Sequence, residues 1–231
     1  MRRRVNEMRV YAVTVRPPPM TTRSTSVPPQ AAAVARFSGP AIVLHWLLAL
    51  ALFGIFALGV YMADLPISPE RLRLFNWHKW AGITILALSL LRLGWRLTHA
   101  PPPDLPMPAW QRRLAHLSHR TMYALFLVIP LVGWAYSSAT GFQVVVFGVL
   151  PLPDFVPKSK PLAEVLETAH ATLAWLLAAF VVVHVAASIK HALVDRDGLL
   201  RRMWFTPPPT AGASRLQPEA RAALRDRPRR A

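Results

Sequence analysis

The chain has 231 residues, 53% of them apolar and only 16% charged, and carries a formal charge of +16. An apolar content this high with so few charges argues against an ordinary soluble domain and for a membrane protein. The absence of cysteine excludes structural disulfides, thiolate metal sites, iron–sulfur clusters and thioether attachment of a haem.

Residues 1–35 are rich in Arg, Pro, Thr and Ser and lack the apolar run of a secretory signal, so they are expected to form a disordered basic cytoplasmic extension. The first apolar stretch covers 39–62 and the second 77–98. THAPPPDLPMP at 98–108 then reads as a stiff proline-rich connection. The third stretch, 114–137, contains Pro130, which predicts a bend. GFQVVVFGVLPLPDF at 141–155 is apolar but too short and too interrupted to span, which predicts a segment lying on the outer membrane surface or folded back over the bundle mouth. The fourth stretch covers 164–193, and 206–231 is a basic stretch without periodicity, expected to be a disordered cytoplasmic tail. A helix of about 20 residues at ~1.5 Å rise crosses the hydrocarbon core. The fold expected over 36–205 is therefore an all-α integral membrane domain, a four-transmembrane-helix bundle.

The basic residues divide unevenly among the connections. Arg2, Arg3, Arg4, Arg9, Arg16, Arg23 and Arg36 precede the first stretch, Arg92, Arg96, Arg112, Arg113 and Arg120 surround the second connection, and the tail is again arginine-rich. The first and third connections hold only Arg71, Arg73, Lys79, Lys158 and Lys160, against Asp64, Glu70, Asp154, Glu164 and Glu167. The positive-inside rule places both termini in the cytoplasm. Charge located in this way speaks for membrane lipids as partners and against nucleic acid.

A histidine within a membrane helix is expensive and by default a functional hypothesis. Of eight histidines, His45 lies a third of the way into the first stretch, His78 opens the second from the outer side, and His170 and His184 share the fourth. The last two are fourteen residues apart, which returns to within about 40° of the same helix face and separates them by about 21 Å. His170 is then level with His78 and His184 with His45, giving two pairs at two depths. Paired neutral imidazoles are haem iron ligands, and two such sites form an electron wire. A zinc or copper site would gather its donors at one depth with carboxylate or sulfur among them, and no acidic residue lies mid-span. Small residues, Ala49, Gly82, Ala174 and Ser188, follow each of these histidines by one turn and would relieve crowding beside a flat macrocycle. His116, His119 and His191 are expected at the cytoplasmic boundary, solvated among headgroups or serving haem propionates or proton transfer. Trp77, Trp80, Trp95, Trp110 and Trp134 are expected in the aromatic belts.

RFSGPAIVLHWL, WHKWAGITILALSLLRLGWRL, LAHLSHRTMYALFLVIPLVGW and HATLAWLLAAFVVVHVAASIKH followed by DGLLRRM, in this order and spacing, resemble the bacterial cytochrome b561 family, particularly its superoxide-oxidising, ubiquinone-linked members. The resemblance covers residues 36–205. It implies a four-helix bundle with two haem b groups, ligated by His45 with His184 and by His78 with His170. It also implies electron transfer from an outer-side one-electron donor, superoxide or another periplasmic species, to ubiquinone. Arg71, Arg73, Lys79, Lys158 and Lys160 would draw an anionic donor to the outer haem, or anchor phospholipid headgroups. The other reading is a haem-carrying membrane anchor, the cytochrome b subunit of a hydrogenase- or dehydrogenase-type complex.

Overall fold

The structure is a computed structural model and describes residues 35–205. The segments expected to be disordered lie outside the described residues. Four helices, α1 (Gly39–Ala63), α2 (Pro69–Thr98), α3 (Ala109–Thr140) and α4 (Lys160–Lys190), are each long and apolar enough to cross a membrane.

The helices begin where proline and a cap allow it. Ser68 accepts a hydrogen bond from the Arg71 amide at 3.2 Å with Pro69 in the first turn, and Ser159 accepts one from the Leu162 amide with Pro161 likewise placed. Capping explains why α2 starts at 69 and α4 at 160, ahead of the apolar stretches: the first turns are polar but nothing breaks them. α3 starts at 109, directly after Pro108 and without a side-chain cap, and runs unbroken through Pro130. It stops at Gly141, whose φ of 79° supplies the left-handed C-cap.

α1 packs on α2, α2 on α3 and α3 on α4, whereas the backbone of α4 hardly meets α1 or α2. The core is built around Met122, Leu125 and Leu177, with Leu52, Phe126, Ile129, Leu173, Phe180 and Val181 against them.

The apolar segment after α3 folds back onto the bundle. Its strands β1 (Val145–Val146) and β2 (Leu150–Pro151) pair antiparallel around Phe147 and Gly148, both at positive φ, the requirement of a tight hairpin turn. The Trp80 indole donates to the Val145 carbonyl at 2.6 Å and the Lys79 ammonium to the Phe142 carbonyl at 3.1 Å, which docks the hairpin on α2. Val144 and Val146 are buried beneath it, while Phe147, Val149 and Leu150 remain exposed.

At the opposite end the two described termini meet. Arg202, 5% exposed in a 3-10 turn (Leu200–Met203), donates to the carbonyls of Ala35 at 2.9 Å and Pro103 at 2.6 Å. Phe37 N donates to the Arg202 carbonyl, Arg36 to the Trp204 carbonyl, and the Trp46 indole to the Met203 carbonyl at 2.8 Å.

Candidate functional site

Each helix carries two distinctive residues fourteen positions apart: His45 and Gly59 on α1, His78 and Arg92 on α2, His119 and Gly133 on α3, His170 and His184 on α4. That spacing is about 21 Å along nearly one helix face. Because successive helices run antiparallel, the eight residues sort into two layers. Gly59, His78, Gly133 and His170 lie toward the hairpin end, and His45, Arg92, His119 and His184 toward the terminal end.

In the hairpin layer the rings of His78 and His170 face each other with centroids 6.0 Å apart and planes inclined by 76°. Two glycines make room for them. A Cβ on Gly59 would stand 3.1 Å from His78 Cε1, and one on Gly133 would stand 2.9 Å from His170 Cε1 and 3.1 Å from its Nδ1. His170 Nδ1 lies 3.1 Å from the Ile129 carbonyl oxygen, to which it donates, leaving Nε2 as the free lone-pair nitrogen. His78 Nδ1 is buried without a hydrogen-bond partner among the described residues.

The terminal layer brings together His45 and His184, centroids 6.2 Å apart and planes at 67°. His119 stands edge-on to His184, centroids 5.3 Å apart, and donates from Nδ1 to the Ala115 carbonyl at 2.6 Å. The Arg92 guanidinium donates to the Ala41 carbonyl at 2.8 Å, one turn before His45, and lies over the Tyr123 ring. The apolar cluster around Leu177 separates the two layers.

The two ring pairs follow from the histidine spacing, whereas the places of Gly59, Gly133, Arg92 and the Ile129 carbonyl beside them do not. The fourteen-residue spacing, applied to all four helices instead of α4 alone, would have found the first three. Of the small residues one turn after the histidines, Ser188 donates to the His184 carbonyl at 2.9 Å, and a Cβ on Gly82 would meet Ile55 at an ordinary 3.8 Å. The relief beside the rings comes from neighbouring helices.

The remaining histidines are held by side chains at the terminal end. His116 pairs with Asp104 at 3.0 Å, and His191 with Asp197 at 2.6 Å and Asp195 at 3.1 Å. His191 opens a π-helical turn (His191–Asp195) in which Lys190 also reaches Asp195, at 2.6 Å. His99 stacks on Trp95 at 3.7 Å at the end of α2.

The residues fit a haem. Each pair bridges helices whose backbones hardly approach one another, α4 with α1 and α4 with α2. Two metal–imidazole bonds of about 2 Å each, with the ring dimensions added, account for centroids roughly 6 Å apart. The donors at each level are imidazoles alone, the set that suits porphyrin iron.

A four-span bundle with paired imidazoles at two depths is the architecture of a membrane b-type electron carrier. The family model described as prokaryotic cytochrome b561 matches residues 36–206. Among curated proteins, the chain is 31% identical over 176 residues to cytochrome b561 homolog 2 of Escherichia coli (strain K12), covering 73% of this chain and 90% of that one. It is 30% identical over 172 residues to cytochrome b561 homolog 1 of the same organism, covering 73% and 96%. It is also 32% identical over 127 residues to the probable superoxide oxidase CybB of Yersinia pestis, covering 54% and 72%. The chain belongs to the prokaryotic cytochrome b561 family. It is a multi-pass bacterial membrane protein that binds haem b and transfers electrons.

Proposed function

We propose that the chain holds two haems b, one between His45 and His184 and one between His78 and His170, and uses them to carry electrons from superoxide at the outer face to ubiquinone. The observation that carries the ligand assignment is the opposition of two imidazole pairs, 6.2 and 6.0 Å between centroids, at two levels of the bundle. Haem bound there supplies a one-electron carrier at each level. The chain's own groups orient the imidazoles: Ile129 holds His170 by its carbonyl, and Gly59 and Gly133 leave the rings space.

The basic excess around the termini supports a cytoplasmic location for the terminal layer, with the hairpin layer outside. The donor is suggested by the name of the Yersinia relative, and the chemistry is balanced. Two superoxide anions each lose one electron and leave as dioxygen, while one ubiquinone takes up two electrons and two protons to become ubiquinol.

Cations beside the hairpin layer favour an anionic donor. Lys79 follows His78 directly in the chain, and the Lys158 side chain lies over Gly141, within 3.0 Å of where its Cβ would be, next to the Phe142 carbonyl that Lys79 holds. Arg71 is engaged with the Ala63 carbonyl at 3.2 Å.

The test is a pyridine haemochrome assay on the purified chain followed by stopped-flow mixing with superoxide. Two haems per chain, reduced rapidly by superoxide and reoxidised by ubiquinone, are expected. One haem or none would remove the ligand assignment, and no reduction by superoxide would leave the haem-carrying anchor subunit as the function.

A further inference from the structure

The two layers differ in what surrounds the imidazoles. In the hairpin layer His170 donates from Nδ1 to the Ile129 carbonyl at 3.1 Å, in a slot that exists because residue 133 is glycine. A hydrogen bond of this kind gives an imidazole more anionic character and makes it a stronger donor to ferric iron, which lowers the reduction potential. Neither His45 nor His184 has such a partner among the described residues; their layer holds the Arg92 guanidinium, which donates to the Ala41 carbonyl at 2.8 Å, one turn before His45. The cations of the hairpin layer, Lys79 and Lys158, lie at the hairpin, beside the Phe142 carbonyl and Gly141. A fixed positive charge in a low-dielectric setting favours the reduced site, which carries one positive charge fewer, and so raises the potential.

We propose that the chain poises the outer haem below the cytoplasmic one, with the Ile129 carbonyl and Gly133 acting through His170, and Arg92 acting on the His45–His184 site. The inference rests on the ligand assignment above. An electron arriving at the His78–His170 site then passes downhill to the His45–His184 site. One electron leaves the first site and enters the second, and no proton or group need move with it. Ile129, Gly133 and Arg92 are positioning and tuning residues; none of them is proposed as an iron ligand.

The test is a spectroelectrochemical titration of the haem-loaded full chain, with haem counted in the same samples. The wild type is expected to titrate in two waves. His184→Ala is expected to retain one haem, the outer one, at the potential of the lower wave. One retained haem at the upper wave overturns the poise while sparing the ligand assignment, and two or no retained haems in a folded protein overturn the assignment itself.

Arg92→Gln is expected to keep both haems and move only the upper wave downward, and Arg92→Lys to restore most of that shift. Gly133→Ala should press on the His170 ring and move only the lower wave upward, more than Gly59→Ala moves it, because no hydrogen bond ties His78 and that ring can give way. An unmoved upper wave in Arg92→Gln, or movement of the wrong wave in any variant, overturns the proposal. If Gly133→Ala loses its outer haem, the order of the waves in His184→Ala still decides.

Discussion

His119 stands edge-on to His184, with ring centroids 5.3 Å apart, and its Nδ1 is committed to the Ala115 carbonyl at 2.6 Å. The ring therefore buttresses His184 from α3, and its other nitrogen has no hydrogen-bond partner among the described residues. His119→Ala should leave two haems per chain, because both proposed partners, His45 and His184, remain. It should change the electron paramagnetic resonance of the cytoplasmic haem alone, because His184 loses the neighbour that limits its rotation. Loss of the cytoplasmic haem in this variant would make His119 the ligand in place of one of the two.

Each proposed ligand pair should control one haem. His170→Ala should remove the outer haem and His184→Ala the cytoplasmic one, since about 21 Å of helix and a layer of apolar side chains lie between them. The ring planes meet at 76° and 67° in the two pairs. Ligands so nearly perpendicular should give strongly anisotropic low-spin ferric signals, each lost with its own histidine. A single variant that erases both signals in a folded protein would break the pairing.

Arg202 ties together parts of the chain that are far apart in sequence. Its guanidinium donates to Ala35 and Pro103 carbonyls while 5% exposed. Hydrogen bonds from a charged donor contribute about 1.5–3 kcal/mol each in mutational series. Arg202→Ala should cost about 2–4 kcal/mol in reversible unfolding in detergent, allowing for partial resolvation of the freed carbonyls. Arg202→Lys should recover only part, since a single ammonium cannot span both acceptors with the fork of a guanidinium. Haem content in the folded fraction should be unchanged.

Reduction by superoxide should slow as salt rises, because exposed charges are screened over about 8 Å at physiological ionic strength. Neutralising Lys79, Lys158 and Lys160 together should slow it further and flatten the salt dependence while leaving haem content intact. Lys79 is best changed to Gln, since its ammonium also holds the Phe142 carbonyl at 3.1 Å and a shorter apolar side chain would release the hairpin. A rate indifferent both to salt and to this triple change would remove the steering argument.

The number of spans, their antiparallel order and the two depths of the histidines were legible in the sequence because each depends on one helix at a time. Hydropathy reports a single helix against lipid, and a rise of ~1.5 Å per residue converts positions into depths without reference to any neighbour. His45 is thus level with His184, and His78 with His170, without reference to any contact. The helices start at 69, 109 and 160, ahead of the apolar stretches, since polar turns capped by serine or preceded by proline continue a helix beyond its apolar window. Only the tertiary structure decided that the segment after α3 docks on α2 through Trp80 and Lys79, because an apolar run can satisfy itself equally against lipid or against a helix. It alone placed Gly59 against His78 and Gly133 against His170, and aimed the Ile129 carbonyl at a ring 41 residues away, because which faces of separate helices meet is set by packing between them and not by the period within any one.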